Sequence, residues 1–100
     1  MKVNVQTPNF VADEKLIIFI NKRLSKLEIF YNRIIFADVF LKVQKTKDRQ
    51  NKIVEILLSI PGDVLMVKKG AKTFEKGTDK CLKALERLLK KRKQKQRAYS

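Results

Sequence analysis

The sequence predicts an α+β fold in which a four-stranded sheet carries two helices packed on one face, in the order β-α-β-β-β-α. Apolar residues recur every three or four positions in two segments, residues 16–27 and 74–89, which is the spacing of one buried helix face. Between these segments, apolar and polar residues alternate in three consecutive stretches, as in strands that bury one face. Because the strands form a run flanked by helices, the pattern favours an α+β sandwich.

The amino-terminal part of the chain is predicted to contain a short strand and the first helix. In residues 2–6 two valines alternate with polar residues, and the Thr-Pro-Asn sequence at 7–9 ends the strand. Asp13 is placed to cap the helix, and Glu14 in its first turn is favoured by the helix dipole. The buried face of this helix is expected to carry four apolar residues: Leu16, Ile20, Leu24 and Leu27.

Three more strands are predicted before the last helix. Residues 34–45 and 52–60 alternate as strands do, and the polar segment 46–51 joins them as a hairpin loop. The Pro-Gly-Asp sequence at 61–63 is a turn signal, and a short fourth strand follows at 64–67. Residues 68–70 lead out of this strand. The residues expected to face the helices are Val39, Leu41, Val43, Val54, Ile56, Leu58 and Ile60.

The other face of the sheet is predicted to be open and less polar than expected. It would carry Phe40, Lys42, Glu55 and Leu57. Exposed Phe40 and Leu57 are either a packing surface or ordinary exposed hydrophobic residues, and the sequence leaves both interpretations open.

The charge of the chain indicates the class of partner. It has 24 Lys and Arg against 10 Asp and Glu, a net charge of +14. The last helix carries a dense row of cations between its apolar positions: Lys76, Lys80, Lys83, Arg87, Lys90, Lys91, Lys93 and Lys95. Such a row either keeps the helix solvated or binds a polyanion. Because like charges repel along a helix and a mixed-sign surface would give solubility without that repulsion, the pattern favours nucleic acid.

The residue content argues against catalysis. The chain has no His, and therefore lacks both the usual general base near neutral pH and imidazole metal ligands. Its three glycines form no phosphate-binding loop. The single cysteine, Cys81, falls on the apolar stripe of the last helix and is expected to be a small buried residue. We therefore expect no enzyme activity, no cofactor, no metal site and no small-molecule substrate.

The chain is expected to be a single monomeric, cytoplasmic domain. Its longest apolar run, residues 16–20, is far shorter than the roughly 18 residues that a membrane helix needs, so no membrane partner is expected. No secretory signal is visible at its start. Residues 1–96 are assigned to the domain and residues 97–100 to a frayed basic tail.

Two basic helices side by side on one sheet would form a broad positive surface with a groove between them. The cations of this surface are Lys22, Arg23 and Lys26 on the first helix and Lys83, Arg87, Lys91 and Lys95 on the second. No aromatic residue stands among them to stack on exposed bases. Contacts are therefore expected mainly with the phosphates and sugars of structured RNA.

Five segments of the chain carry a family resemblance. They are residues 26–34 (KLEIFYNRI), 38–43 (DVFLKV), 53–62 (IVEILLSIPG), 74–79 (FEKGTD) and 85–91 (LERLLKK). In order and spacing they resemble the ribosome hibernation-promoting factors, also called Y-proteins or ribosome-associated inhibitors. The resemblance covers almost the whole chain and implies the same β-α-β-β-β-α fold. It is closest to a short form, without the separate dimerisation domain or the acidic tail of other members.

The resemblance also implies a function. Members of this family bind the rRNA of the small ribosomal subunit in the channel used by mRNA and tRNA, and block translation in starved or stationary cells. Their rRNA-facing cations correspond here to Arg23, Lys26, Lys42, Arg87 and Lys91. Where the family often has Lys, this chain has Ala84, so Lys83 and Lys90 are expected to replace that contact. Where the family usually has Ala, this chain has Gly77, which costs about 1 kcal/mol inside a helix.

Two other functions remain open from the sequence. The α-β-β-β-α order of double-stranded RNA-binding domains overlaps this one, although their Gly-Pro-x-His loop and the basic cluster at the start of their last helix are not visible. A protein-interaction regulator could use the same basic face to engage an acidic protein or an anionic membrane.

Overall fold

Four strands and two helices make up the part of the chain that the structure describes. A computed structural model gives the backbone of residues 1–47 and 49–98, and the side chains of these residues as far as residue 95. The elements are β1 (Lys2–Gln6), α1 (Glu14–Phe30), β2 (Phe36–Val43), β3 (Lys52–Ile60), β4 (Asp63–Ala71) and α2 (Phe74–Ala98). This is the predicted order, and the predicted fold class is confirmed.

The sheet has the strand order β1-β2-β3-β4. β1 runs parallel to β2, since α1 carries the chain back across the sheet between them, whereas β2, β3 and β4 form an antiparallel meander. Beyond the end of β1, the side chain of Asn9 continues the pairing with β2. Its Nδ2 donates to the carbonyl oxygen of Val43 at 2.8 Å, and its Oδ1 accepts from the Val43 N–H at 3.2 Å.

The start and the buried face of α1 are as predicted. The Oδ1 of Asp13 accepts a hydrogen bond from the backbone N–H of Leu16 at 2.8 Å, which caps the helix. All four predicted apolar residues of the helix are buried: Leu16, Ile20, Leu24 and Leu27. The inward residues of the central strands are buried as well, except that Val43 is only half-buried: Val39, Leu41, Val54, Ile56, Leu58 and Ile60.

The second helix packs on β3 through small residues. Cys81 is fully buried, and its Sγ donates to the carbonyl oxygen of Val54 at 3.4 Å, so its prediction as a small core residue is confirmed. Thr78, one turn earlier, is also fully buried and donates its hydroxyl to the carbonyl oxygen of Phe74 at 2.7 Å. The polar atoms on this buried stripe are therefore paired inside the helix or with the strand beneath it.

The fourth strand is longer than predicted. The sequence indicated a strand at 64–67 that ends before residues 68–70, but β4 spans Asp63–Ala71. Lys68 lies inside it, directly opposite Glu55 of β3. Because β4 is an edge strand, its side chains reach water at many positions, and the two lysines do not end it.

The second strand is shorter than predicted. β2 spans Phe36–Val43 inside the segment 34–45. Beyond its end, the N–H of Gln44 donates to the carbonyl oxygen of Asn51 at 2.8 Å, which closes the predicted hairpin. The predicted turn between β3 and β4 is confirmed, and Gly62 there has a φ of 80°, a left-handed conformation that favours glycine.

On the open face of the sheet, Phe40 and Leu57 are half-buried instead of exposed. The more exposed apolar side chains are Val64 and Met66 of β4, at 54% and 56%. At the carboxyl end α2 runs to Ala98, while residues 99–100 lie outside the described part of the chain, so the frayed tail stays a prediction. Neither described helix is long and apolar enough to cross a membrane.

Candidate nucleic-acid interface

The predicted groove between the two helices is present. Its cavity has a volume of about 480 Å³. The residues that line this interhelical groove are Arg23, Lys26, Leu27 and Phe30 of α1 and Asp79, Leu82, Lys83 and Glu86 of α2. Three of the predicted cations therefore meet in one groove above an apolar floor.

The interhelical groove is not uniformly positive, because two carboxylates line it with the cations. The Nε of Arg23 lies 3.2 Å from the Oδ1 of Asp79, an ion pair that joins α1 to α2. This Nε is buried and makes no well-aligned hydrogen bond to a described residue, so the contact is one of charge and not of hydrogen-bond geometry. The guanidinium carbon of Arg23 also lies 4.8 Å from the centre of the Phe19 ring.

A second cation covers the other aromatic ring beside the groove. The Nζ of Lys93 lies 4.5 Å from the centre of the Phe30 ring. The rings of Phe19 and Phe30 are thus each covered by a cation of the same chain. The sequence predicted no aromatic residue among these cations, whereas Phe30 lines the groove and Phe19 lies against Arg23. Because a cation covers each ring, stacking of bases is still not favoured here.

Other predicted cations of this layer lie outside the interhelical groove. Arg87 and Lys90 follow Lys83 along α2 at spacings of four and seven residues, so they lie on its outward side next to the groove, and both are exposed. Lys22 is exposed on α1 and does not line the groove. These side chains widen the positive surface on both sides of the groove mouth.

Lys91 and Lys95 lie on a different flank of α2 from the interhelical groove. They line a shallow depression of about 670 Å³ between α2 and β4, together with Asp63, Leu65, Leu88, Arg92 and Gln94. There the Nη1 of Arg92 donates to the Oδ2 of Asp63 at 2.6 Å and ties α2 to the start of β4. The structure therefore separates these two lysines from the groove in which they were expected.

Lys42 lies on the opposite side of the molecule. Its neighbours in the strand, Leu41 and Val43, face the helices, so Lys42 projects from the open face of the sheet. There it lines a depression of about 420 Å³ with Phe40, Glu55 and other residues. The structure does not bring Lys42 together with the cations of the two helices.

Comparison with known proteins identifies the family. A sequence model of the family described as sigma 54 modulation protein / S30EA ribosomal protein matches residues 3–97. The chain belongs to this family. Two Pseudomonas putida proteins named ribosome hibernation promoting factor, one of them from strain KT2440, are 26% identical to it over 98 residues, which are 98% of this chain and 92% of theirs.

Two solved structures share the S30EA fold seen here. A ribosomal subunit interface protein from Coxiella burnetii superposes with a TM-score of 0.82 at 18% identity, over 93% of this chain and 98% of that one. The N-terminal domain of Protein Y from Thermus thermophilus superposes with a TM-score of 0.78 at 20% identity, over 91% of this chain and 98% of that one. The fold that the resemblance implied is thereby confirmed.

Within this S30EA fold, the departures noted in the sequence occupy defined places. Ala84 is half-buried. Lys83 lines the interhelical groove, whereas Lys90 lies on the outward side of α2. Their role as substitutes for the family's missing lysine stays a prediction.

Sequence reasoning missed Asp79 and Phe19 as partners of Arg23. Asp79 was visible only as one of few acids on a helix of cations. Its contact with Arg23 depends on how the two helices lie against each other, which no local pattern encodes.

Burial also sets the chemistry of Cys81: loss of solvent raises the pKa of its thiol to about 11, so it is protonated at neutral pH and is a poor nucleophile.

Proposed function

We propose that the protein is a ribosome hibernation factor that binds the small ribosomal subunit through its two-helix face, in the channel used by mRNA and tRNA, and blocks translation in starved or stationary cells. The observation that carries the proposal is the basic surface formed by two adjacent helices of a chain with net charge +14. Its exposed or half-buried cations are Lys22, Arg23 and Lys26 on α1 and Lys83, Arg87 and Lys90 on α2. Membership of the S30EA family and the names of the relatives support the same conclusion.

The chemistry of this face suits phosphates better than bases. Lysine and arginine side chains bind phosphate oxygens by charge-assisted hydrogen bonds, and these contacts fix position without reading sequence. Phe19 and Phe30 are covered by Arg23 and Lys93, so they offer no free ring for stacking. The ligand that fits is a folded RNA whose phosphates lie at fixed positions, as in rRNA.

The mode of action that follows is occupancy. A protein whose RNA-binding surface is a row of cations has no group there for covalent chemistry. It inhibits by occupying the channel that mRNA and tRNA use. Its site of action would be the cytoplasm, where ribosomes work, and one monomer per small subunit would suffice.

The alternatives from the sequence have unequal support. A double-stranded RNA-binding domain is disfavoured, because the chain belongs to the S30EA family and has β1 paired in parallel with β2. A regulator that uses the basic face on an acidic protein or an anionic membrane would show no affinity for ribosomal subunits, so one experiment decides between it and the proposal.

Co-sedimentation with purified small subunits on a sucrose gradient tests the proposal. We expect the wild-type protein to migrate with the subunits, and a variant with Arg23, Lys26, Lys83 and Arg87 all replaced by Gln to stay at the top while keeping its circular dichroism spectrum. The matched control replaces Lys45, Lys47 and Arg49, the cations of the β2–β3 hairpin, and should weaken binding less. Greater loss in the hairpin variant would place binding on another face, and free wild-type protein would overturn the proposal.

A further inference from the structure

We propose that Asp79 is a positioning residue: it orients the Arg23 guanidinium toward a phosphate of bound RNA, and so strengthens binding although its own charge repels RNA. The inference rests on the proposed function, because it takes the RNA of the small subunit as the ligand. It concerns the ion pair between Arg23 and Asp79 in the interhelical groove, and it gives an acidic residue a part in RNA binding by a cationic surface.

Two contacts hold the guanidinium of Arg23 in place. Asp79, on α2, holds its Nε edge at 3.2 Å, and the Phe19 ring, on α1, lies under its face at 4.8 Å. A planar group that is held by one edge and one face has little freedom to rotate. Without Asp79, the long side chain of Arg23 could adopt many rotamers at the surface, and ordering it on RNA would oppose binding.

The remaining donors of Arg23 are available to a ligand. Neither Nη group makes a hydrogen bond to a described residue, and the side chain as a whole is 38% exposed, while Nε is buried on the side of Asp79. Two Nη groups of one guanidinium can donate in parallel to two oxygens of a phosphate. Lys26 and Lys83 line the same cavity, so a phosphate at the mouth of the groove would meet three cations.

The chain provides its own control for the charge of Asp79. Glu86 lines the same groove and makes no ion pair with a described residue. If the groove's acids acted only by repelling RNA, removal of either charge would strengthen binding to a similar extent. If Asp79 positions Arg23, removal of the two charges gives opposite results.

The experiment compares the affinity of small subunits for wild-type protein, Asp79→Asn, Asp79→Glu and Glu86→Gln at several salt concentrations. We expect Asp79→Asn to bind about tenfold more weakly, which corresponds to the loss of one hydrogen bond between the Arg23 guanidinium and a phosphate. Glu86→Gln should bind equally or about twofold more tightly, as a screened charge at the surface predicts. Asp79→Glu should restore most of the affinity, and Asp79→Asn should flatten the dependence on salt because one phosphate contact is lost.

A double substitution separates positioning from folding. In an Arg23→Ala background, adding Asp79→Asn should weaken binding no further. Phe19→Leu, which removes the ring beneath the guanidinium, should weaken binding in the wild-type background and not in the Arg23→Ala background.

Two results would overturn the inference alone: Asp79→Asn binding as tightly as Glu86→Gln, or Asp79→Asn weakening the Arg23→Ala variant as much as the wild type. Failure of the wild-type protein to bind would overturn the proposed function and the inference with it.

Discussion

Gly77 in the first turn of α2 lies so close to Val54 of β3 that a β-carbon at position 77 would stand 2.7 Å from the Cγ2 of Val54. Real β-carbons do not approach another carbon so closely, so the helix can lie this near the sheet only where the side chain is a hydrogen. Val54 is fully buried and branched at its β-carbon, and it cannot turn away without disturbing the core. The contact accounts for a glycine inside a helix, where it costs about 1 kcal/mol relative to alanine.

Replacing this glycine should therefore destabilise the protein. Gly77→Ala is expected to lower the free energy of unfolding by about 1–3 kcal/mol, as overpacking of a core does, in spite of the better helix propensity of alanine. In a Val54→Ala background the same change should instead be stabilising, because the Cγ2 atom at 2.7 Å is then absent and the nearest atom is the β-carbon of residue 54 at 3.4 Å. Urea unfolding of the wild type, the two single variants and the double variant measures the effect of Gly77→Ala in each background. A stabilising Gly77→Ala in the wild type would contradict the close contact.

A matched pair of lysines tests which side of the molecule meets RNA. Lys83 and Lys42 are both exposed, but Lys83 lies in the interhelical groove and Lys42 on the open face of the sheet. Lys83→Gln should weaken binding to small subunits and reduce the slope of log K against log salt by about 1. Lys42→Gln should leave affinity and slope unchanged; a larger effect of Lys42→Gln would show that the open face takes part.

Binding to small subunits should weaken steeply as salt rises. If about six phosphates are neutralised, the slope of log K against log salt should be about −4 to −5, because each contact contributes roughly 0.7 to 0.9. Filter binding between low and moderate salt measures this slope. An affinity that hardly changes over that range would contradict an interface made of phosphate contacts.

Stability at high pH should report on Cys81. The ordinary thiol pKa is 9.0, and burial raises that of Cys81 to about 11 in the folded protein. Below pH 9 the thiol is protonated in both states, so its contribution to stability is fully present. Between pH 9 and 11 the thiol loses its proton in the unfolded state before it does so in the folded state, and this stabilises the unfolded state. The free energy of unfolding therefore falls, by up to about 2–3 kcal/mol at the top of this window.

The control for this pH effect is Cys81→Ala, which retains every other ionisable group of the chain. Its stability should fall less between pH 9 and 11 than that of the wild type, even if it is lower at neutral pH. Parallel curves for the two proteins would mean that the thiol ionises as easily in the fold as outside it.

Inhibition of translation should be stoichiometric and reversible. In a translation reaction in vitro, we expect initiation to stop at about one protein per ribosome, since occupancy is not catalytic and each bound molecule blocks one ribosome. Excess mRNA with initiator tRNA should displace the protein, because they need the same channel. Cleaved rRNA, or one molecule that silences many ribosomes, would instead indicate an enzyme.

The fold could be predicted from the sequence because its signals are local. Asp13 caps its helix with a side chain three residues from its partner Leu16, and the buried residues of each element follow the period of that element. The largest departure is β4, whose basic residues were interpreted as the end of the strand. Lys68 is held in the strand by its place opposite Glu55, a pairing that becomes visible only once the register of β3 and β4 is known.

The candidate site could be predicted in part, and for the same reason. Exposure of the cations follows from helix periodicity, and Arg23, Lys26 and Lys83 do meet across the groove. The prediction that all cations of the two helices share one groove was less accurate, because the position of a residue around α2 decides whether it faces α1 or β4. Lys91 faces β4, and a helical repeat alone does not say which neighbour lies on which flank.

The parallel pairing of β1 with β2 bears on the order in which the protein folds. The hairpins that join β2 to β3 and β3 to β4 close over short loops, whereas β1 must wait until α1 has crossed the sheet. β1 is also a short edge strand, and its pairing is extended by the side chain of Asn9 in place of further backbone. We therefore expect β1 to be the last strand to join during folding and the first to detach when the native structure opens locally.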